Sequence, residues 1–531
     1  MILNQIPALQ QIGFPVLSVL LFLPLAAALV LRMVRDDAAA YRIALGASIA
    51  ELALALFVWQ RFVPEVADVQ FVEHLPLIAS IGFGYHVGVD GISVLFLPAT
   101  ALLALLAVLY VEPSVRSNAA GYLSALLMFE ATMIGAFISL DMLFFLFFFV
   151  AELYPSWILI TRWGTGERRS EAAVTYVTMM LISAMAILIG IVMLALNYGN
   201  VAAAGMSFNY LKLLSVDVPL TMQTLVFFLL CLGFAIKAPI FPLHTWMPKV
   251  LEQGPIVGMS IFLVGIKLGT YGILRFVIPL VPEAAKEWFW LMALLGVLGM
   301  VYGALIALVQ TNLRRLLAFA SLSHMGVVMI GLFSLNFTGM QGGLLQMINL
   351  GITGAGLFFI AAFLFQRVGP PELARMGGLN ELAPFLAMAF LIIGLAGVGM
   401  PGTSGFNGEH LVMLGAFKMN PWMAGAAGLG TVLSASYFLW YYQQAFLGSA
   451  RAGTPRVVLD LGSRERWIAG TLATLVIAMG MVTGPFLNTM SGSLKAIEER
   501  VHKGSPQTAH APVAVAASLA AATVAPASAA K

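Results

Sequence analysis

Apolar runs of about 20 residues recur along this chain from Pro15 to Thr489. Each is long enough to carry a helix through the roughly 30 Å hydrocarbon core of a bilayer. Fourteen spans are expected, near 15–33, 43–62, 90–110, 120–138, 142–161, 173–197, 222–240, 255–276, 288–309, 316–335, 343–366, 383–403, 423–447 and 467–489. Of the 531 residues, 61% are hydrophobic and 10% charged, whereas soluble domains run near half and a quarter. The fold class is therefore an all-α polytopic membrane protein.

Basic residues in the loops set the orientation. With the N-terminus outside, the inside loops receive Arg32, Arg35, Arg42, Arg116, Arg162, Arg168, Arg169, Lys249, Arg314, Arg315, Arg367, Arg375, Arg451, Arg456, Arg464 and Arg466. The outside loops receive only Arg61, Lys212, Arg275, Lys286 and Lys418, and Lys237 and Lys267 stay in the membrane. Both termini then face away from the cytoplasm. The opening MILNQIPALQQIG has no basic region and reads as the approach to a first transmembrane helix, with no cleaved signal. The expected segments are helices one to three (1–118), four to eight (119–280), nine to thirteen (281–450), and helix fourteen with a surface segment (451–503). Residues 504–531, rich in Ala and Pro, read as a flexible tail.

Two spans are broken. Around the seventh and eighth, FAIKAPIFPLHTWMPKVLEQGP places Pro239, Pro242, Pro248 and Pro255 between apolar stretches, and proline both removes a backbone donor and clashes with the preceding turn. Near the twelfth, Gly399–Phe417 (GMPGTSGFNGEHLVMLGAF) interrupts the apolar run with five glycines and a proline. Broken helices at corresponding places in two halves of a chain point to inverted repeats with ion sites near the midplane.

Ionisable residues inside apolar runs mark the candidate path, because charge at that depth is costly. Lys237 lies in the last turn before Ala238-Pro239, where snorkelling to the interface is an alternative reading. Lys267 has mainly apolar residues on both sides, and a lysine, unlike arginine, can release and regain its proton. Glu152, in FFLFFFVAELYPSW, would be stabilised as a carboxylate beside Lys237. Glu130 and Glu51 are further buried carboxylates, for which a structural role is equally open. His324, near Ser321 and Ser323, suits proton relay or packing, and His244, beside Trp246, suits anchoring of the break. Cys231 is the sole cysteine, and there is no GxxxxGK[ST], HExxH or CxxC motif, nor a histidine pair suited to axial haem ligation. No cofactor or metal is expected in this chain, and redox centres, if any, lie elsewhere.

The motifs GVDGIS (Gly88–Ser93), LYPSWILITRWG (Leu153–Gly164), FAIKAPIFPLHTWMP (Phe234–Pro248), GIKLGTYGILRF (Gly265–Phe276), NLRRLLAFASLSHMG (Asn312–Gly326) and GMPGTSGFNGE (Gly399–Glu409) occur in this order. In them the chain resembles the antiporter-like proton-translocating subunits of respiratory complex I (NADH:quinone oxidoreductase), especially the M-type chains of the NuoM family, relatives of Mrp antiporter subunits. The resemblance implies two inverted five-helix repeats with broken helices seven and twelve. It also implies proton movement along a central axis, coupled to electron transfer in other subunits of a bacterial inner-membrane complex. FMN, iron–sulfur clusters and quinone would belong to those partners, other antiporter-like chains would be neighbours, and nucleic acid would not. Lys237 matches the lysine that pairs with a glutamate of helix five, Lys267 the connecting lysine, His324 an axial histidine, and Glu409 the terminal exchange site.

Two positions depart from that family. Counted back five residues from Pro155, the helix-five glutamate falls on Val150, and the available carboxylate is Glu152, about 200° around an ideal helix and 3 Å along it. A local bulge, an approach of Glu152 from another side, or substitution by Glu130 are the possible accommodations. An axial histidine expected at Leu350 is also missing. An Mrp-type antiporter, a membrane-bound hydrogenase or carbon-uptake complex, and a scaffold with a lapsed proton path are the alternative functions.

Overall fold

The computed structural model describes residues 3–111, 118–203, 205–449 and 459–503. Among them are ten helices long and apolar enough to cross a membrane, with three shorter apolar helices, Val16–Leu31, Phe96–Leu109 and Pro384–Gly397. Every expected apolar run overlaps a helix. The expected tail, and Arg116, Arg451 and Arg456, lie outside the described residues.

Burial sorts the helices into centre and rim. The most apolar window of Gly258–Leu280 is 100% buried inside the protein, and those of Ala119–Ile138, Leu313–Leu332 and Phe337–Val368 are 89% buried. Asp37–Arg61 and Pro421–Phe446 reach only 28%. Lys267 and His324, on central helices, thus face protein rather than lipid. Helix starts are fixed by side chains that accept from free backbone N–H groups: Asp36, Asp141, Asn312, Asn336 and Asn420 each do so.

A small sheet, which the apolar pattern did not reveal, lies between the second and third runs. Val69–Ile78 pairs antiparallel with Phe83–Val89 and parallel with Gln5–Pro7. It serves the bundle directly. Val16–Leu31 begins after Pro15, whose side chain cannot cap, and Glu73 of the hairpin accepts from Leu17 N at 2.8 Å and Ser18 N at 3.2 Å.

Both predicted breaks are present. Leu220–Lys237 stops at Ala238, and helix resumes at Trp246–Gln253. The intervening Phe241–Pro242 peptide is cis, and Trp246 Nε1 donates to Ile236 O at 2.9 Å across the break. Pro384–Gly397 likewise gives way before Ser404–Met419, with Gly399 at φ 75° and Gly402 at φ 87°.

One loop assignment needs correction. Arg275, expected in an outside loop, is fully buried in a π-helical turn, Ile273–Val277, and ion-paired with Asp90 of GVDGIS. Its guanidinium also lies 4.7 Å from the Tyr210 ring centre. A buried counter-charge lets the helix continue where the basic residue alone suggested a loop. Arg314 is likewise buried, donating to Leu251 O (2.9 Å), Gly254 O (2.6 Å) and Thr165 Oγ1 (2.7 Å). It ties the end of the first broken helix to the helix that carries His324.

Candidate ion-translocation site

Lys237 and Glu152 meet inside the bundle. Lys237 Nζ is 2.7 Å from Glu152 Oε1, and both side chains are 1% exposed. The Tyr176 hydroxyl completes a triangle, 3.2 Å from the ammonium and 3.3 Å from the same carboxylate oxygen. The Phe149 and Tyr176 rings lie 5.2 and 5.7 Å from Nζ, so a desolvated cation gains attraction from two π faces. The lysine also ends its helix, where the backbone dipole favours positive charge.

Local sequence explains how Glu152 gets there. Pro155 has no N–H for the Ala151 carbonyl, and the helix is interrupted at one residue, Glu152, between Met142–Ala151 and Leu153–Trp163. Glu152 N still bonds Phe148 O at 3.1 Å and Ser156 N bonds Glu152 O at 3.2 Å, so the chain keeps its direction. Of the three accommodations open in the sequence, the pair is made by Glu152 itself, and Glu130 makes no ion pair or hydrogen bond among the described residues.

The helix of Lys267 packs directly on this site. A Cβ on Gly265 would lie 2.9 Å from Glu152 Oε1, and one on Gly269 would lie 2.5 Å from Phe234 O. Only glycines allow so close an approach. Lys267 itself is 2% exposed and has Met325 Sδ at 3.3 Å as its recorded hydrogen-bond partner. It lines a cavity of about 40 Å³ together with His324, Leu350, Thr353 and Tyr437, room for about one water molecule. Leu350, where the resemblance expects a histidine, is a wall of that cavity.

From the cavity the polar line continues to Glu409. His324 Nε2 is 3.1 Å from the Tyr437 hydroxyl, and His324 Nδ1 is 4.0 Å from Glu409 Oε1. Glu409 accepts from Thr431 Oγ1 at 3.0 Å and Gln346 Nε2 at 3.4 Å. Gly399 in the break lets the carboxylate in: a Cβ there would meet Glu409 Oε2 at 2.5 Å, and its φ of +75° disfavours any other residue.

Lys237, Glu152, Lys267, His324 and Glu409 are therefore brought into two adjoining groups. His244 is not part of them. It sits in the first break, among the rings of Phe241 (5.8 Å), Tyr302 (5.3 Å) and Phe319 (6.4 Å). Tyr176, Tyr437, Thr431 and Gln346 were missed, since a hydroxyl or amide in an apolar run carries no charge signal.

A helical membrane protein with ionisable side chains enclosed at two helix breaks has the form of an ion-translocating membrane subunit. A family model described as NADH:quinone oxidoreductase/Mrp antiporter, TM, matches residues 139–434. NADH-quinone oxidoreductase subunit M of Rhodobacter capsulatus is 34% identical over 505 residues, 92% of this chain and 97% of that protein. A chain of respiratory complex I from Thermus thermophilus with bound NADH matches with a TM-score of 0.84 at 31% identity, over 92% of this chain and 100% of the other. A chain of the Mrp complex from Dietzia sp. DQ12-45-1b shares the fold, with a TM-score of 0.76 at 21% identity over 91% and 99% of the two chains. The chain belongs to the NADH:quinone oxidoreductase/Mrp antiporter family of membrane subunits.

Proposed function

We propose that this chain is the M-type proton-translocating subunit of a complex I-type NADH:quinone oxidoreductase in a bacterial inner membrane. The observation that carries the reading is the enclosed Lys237–Glu152 pair at a helix break, beside the helix of Lys267. While the pair is closed, the two opposite charges balance each other inside the bundle. Opening the pair leaves an uncompensated buried cation, which is relieved when the proton passes on towards Lys267. His324 and the Tyr437 hydroxyl then connect the Lys267 cavity to Glu409, the exchange group of the second half.

Fourteen crossings are proposed, with inverted repeats over 119–280 and 281–450 and both termini outside. The two breaks support the repeat, each standing beside a buried ionisable residue, Lys237 in one half and Glu409 in the other. FMN, iron–sulfur clusters and quinone are assigned to partner subunits, and neighbouring antiporter-like chains pack against this one in the membrane arm. Purification of the native assembly through this chain tests the assignment. Co-purifying flavin and iron–sulfur subunits with NADH-driven quinone reduction support it. A complex holding only cation-exchange activity would establish the Mrp reading instead.

A further inference from the structure

A second set of buried acids lies away from the line of Lys237, Lys267 and Glu409. Glu51, on Asp37–Arg61, and Glu130, on Ala119–Ile138, are each fully buried, and the two helices pack together. All four carboxyl oxygens lack a hydrogen-bond partner among the described residues, and so does Ser48 Oγ. Ser48 is also fully buried and stands three residues before Glu51, on the same helical face. Both carboxyl groups stand near the middle of their helices, well away from either end. Neither forms an ion pair among the described residues.

No protonation state of these two groups is satisfied by the protein alone. Two carboxylates would repel each other in a low-dielectric interior without any donor. Two acids would leave two O–H groups without acceptors. A proton between the groups, with water filling the gap, supplies a donor to one carboxyl and an acceptor to the other. We infer that Glu51 and Glu130 form a second proton-binding site, in which the carboxyl groups hold a proton in common through water anchored by Ser48. The helix that carries Glu130 also reaches the main line. Phe129, adjacent to Glu130 in sequence, approaches Gly265 to within 3.2 Å of where its Cβ would stand, beside Glu152 Oε1. Only this link to the main line rests on the proton-pumping reading; the site itself does not.

The test is pH-induced infrared difference spectroscopy of the native assembly, with Glu51→Gln, Glu130→Gln, the double variant, Ser48→Ala and Lys237→Met. A shared site gives a carboxylic-acid C=O band that either single glutamine variant removes, and the double variant removes no more than one does. Ser48→Ala moves the band without abolishing it, and D₂O shifts it in the unsubstituted chain. Lys237→Met keeps the band whether or not pumping survives, which separates this inference from the pumping assignment. Independent, additive losses in the two glutamine variants, or no loss in either, would overturn it. If the glutamine variants do not assemble, a band unmoved by both Ser48→Ala and D₂O overturns it equally.

Discussion

Moving one carboxylate by two residues tests the geometry of the ion pair. Glu152 is fully buried against Lys237 at 2.7 Å, whereas Val150 is 36% exposed on the outward side of the same span. Positions 150 and 152 differ by about 200° around an ideal helix and about 3 Å along it, so a carboxylate at 150 points out of the bundle. Glu152→Val leaves Lys237 with the Tyr176 hydroxyl as its remaining hydrogen-bond partner. Removing one member of a buried pair costs about 3–5 kcal/mol, roughly 10²–10⁴-fold in an equilibrium constant. NADH-driven acidification of inverted membrane vesicles, normalised to quinone reduction, should lose its coupled component in Glu152→Val. The double variant Val150→Glu/Glu152→Val should stay at that level. Full recovery in the double variant would mean that the helix presents position 150 to Lys237, and the pairing described above would be wrong.

Three further outcomes follow from particular contacts. Tyr176→Phe deletes hydrogen bonds to both members of the pair, each about 1.5–3 kcal/mol when one partner is charged; coupled pumping should fall about tenfold or more while the complex still assembles, and a normal rate would count against the triangle. Gly399→Ala places a Cβ 2.5 Å from Glu409 Oε2 at a φ of +75°; a cost of about 1–2 kcal/mol for the backbone alone should appear as a lower melting temperature, and unchanged melting would refute the close approach. His86, in the extramembrane hairpin, is driven down to about 3 by burial, then by His74 and Lys212. Asn209 Oδ1 is occupied by Leu211 N and Lys212 N, so its amide donates to His86 Nδ1 at 2.8 Å and holds the ring neutral. Its folded value is below the unfolded one of about 6.5, so the unfolded chain binds more protons between the two. This contribution is complete above about pH 6.5 and is lost as pH falls towards 3, by at most about 4–5 kcal/mol. Hydrogen exchange of the hairpin, corrected for intrinsic rates, should therefore accelerate on acidification, and His86→Gln should remove that dependence; identical pH profiles would refute it.

Much of this architecture was legible because the bilayer restricts it. Runs such as 173–197 and 288–309 can do little but form helices, and Pro239, Pro242 and Gly399 announced where helices break. Lys237, Lys267 and Glu409 stood out because charge in such surroundings needs a reason. What the sequence concealed depends on contacts across the bundle. The hairpin of Val69–Ile78 and Phe83–Val89 is too short to register against the apolar runs. Arg275 resembled a loop cation because its counter-charge, Asp90, lies 185 residues away. The choice between Glu152 and Glu130 turned on the one-residue interruption before Pro155, which a regular helical wheel does not contain.

The central claim is that protons cross this subunit through the enclosed lysines, and the proton-to-electron ratio of the reconstituted assembly tests it most directly. Lys237→Met keeps an unbranched side chain of similar length while removing the ammonium that pairs with Glu152. The predicted result is an assembled complex that still passes electrons when uncoupled but translocates fewer protons per electron. An unchanged ratio in that variant would contradict the account.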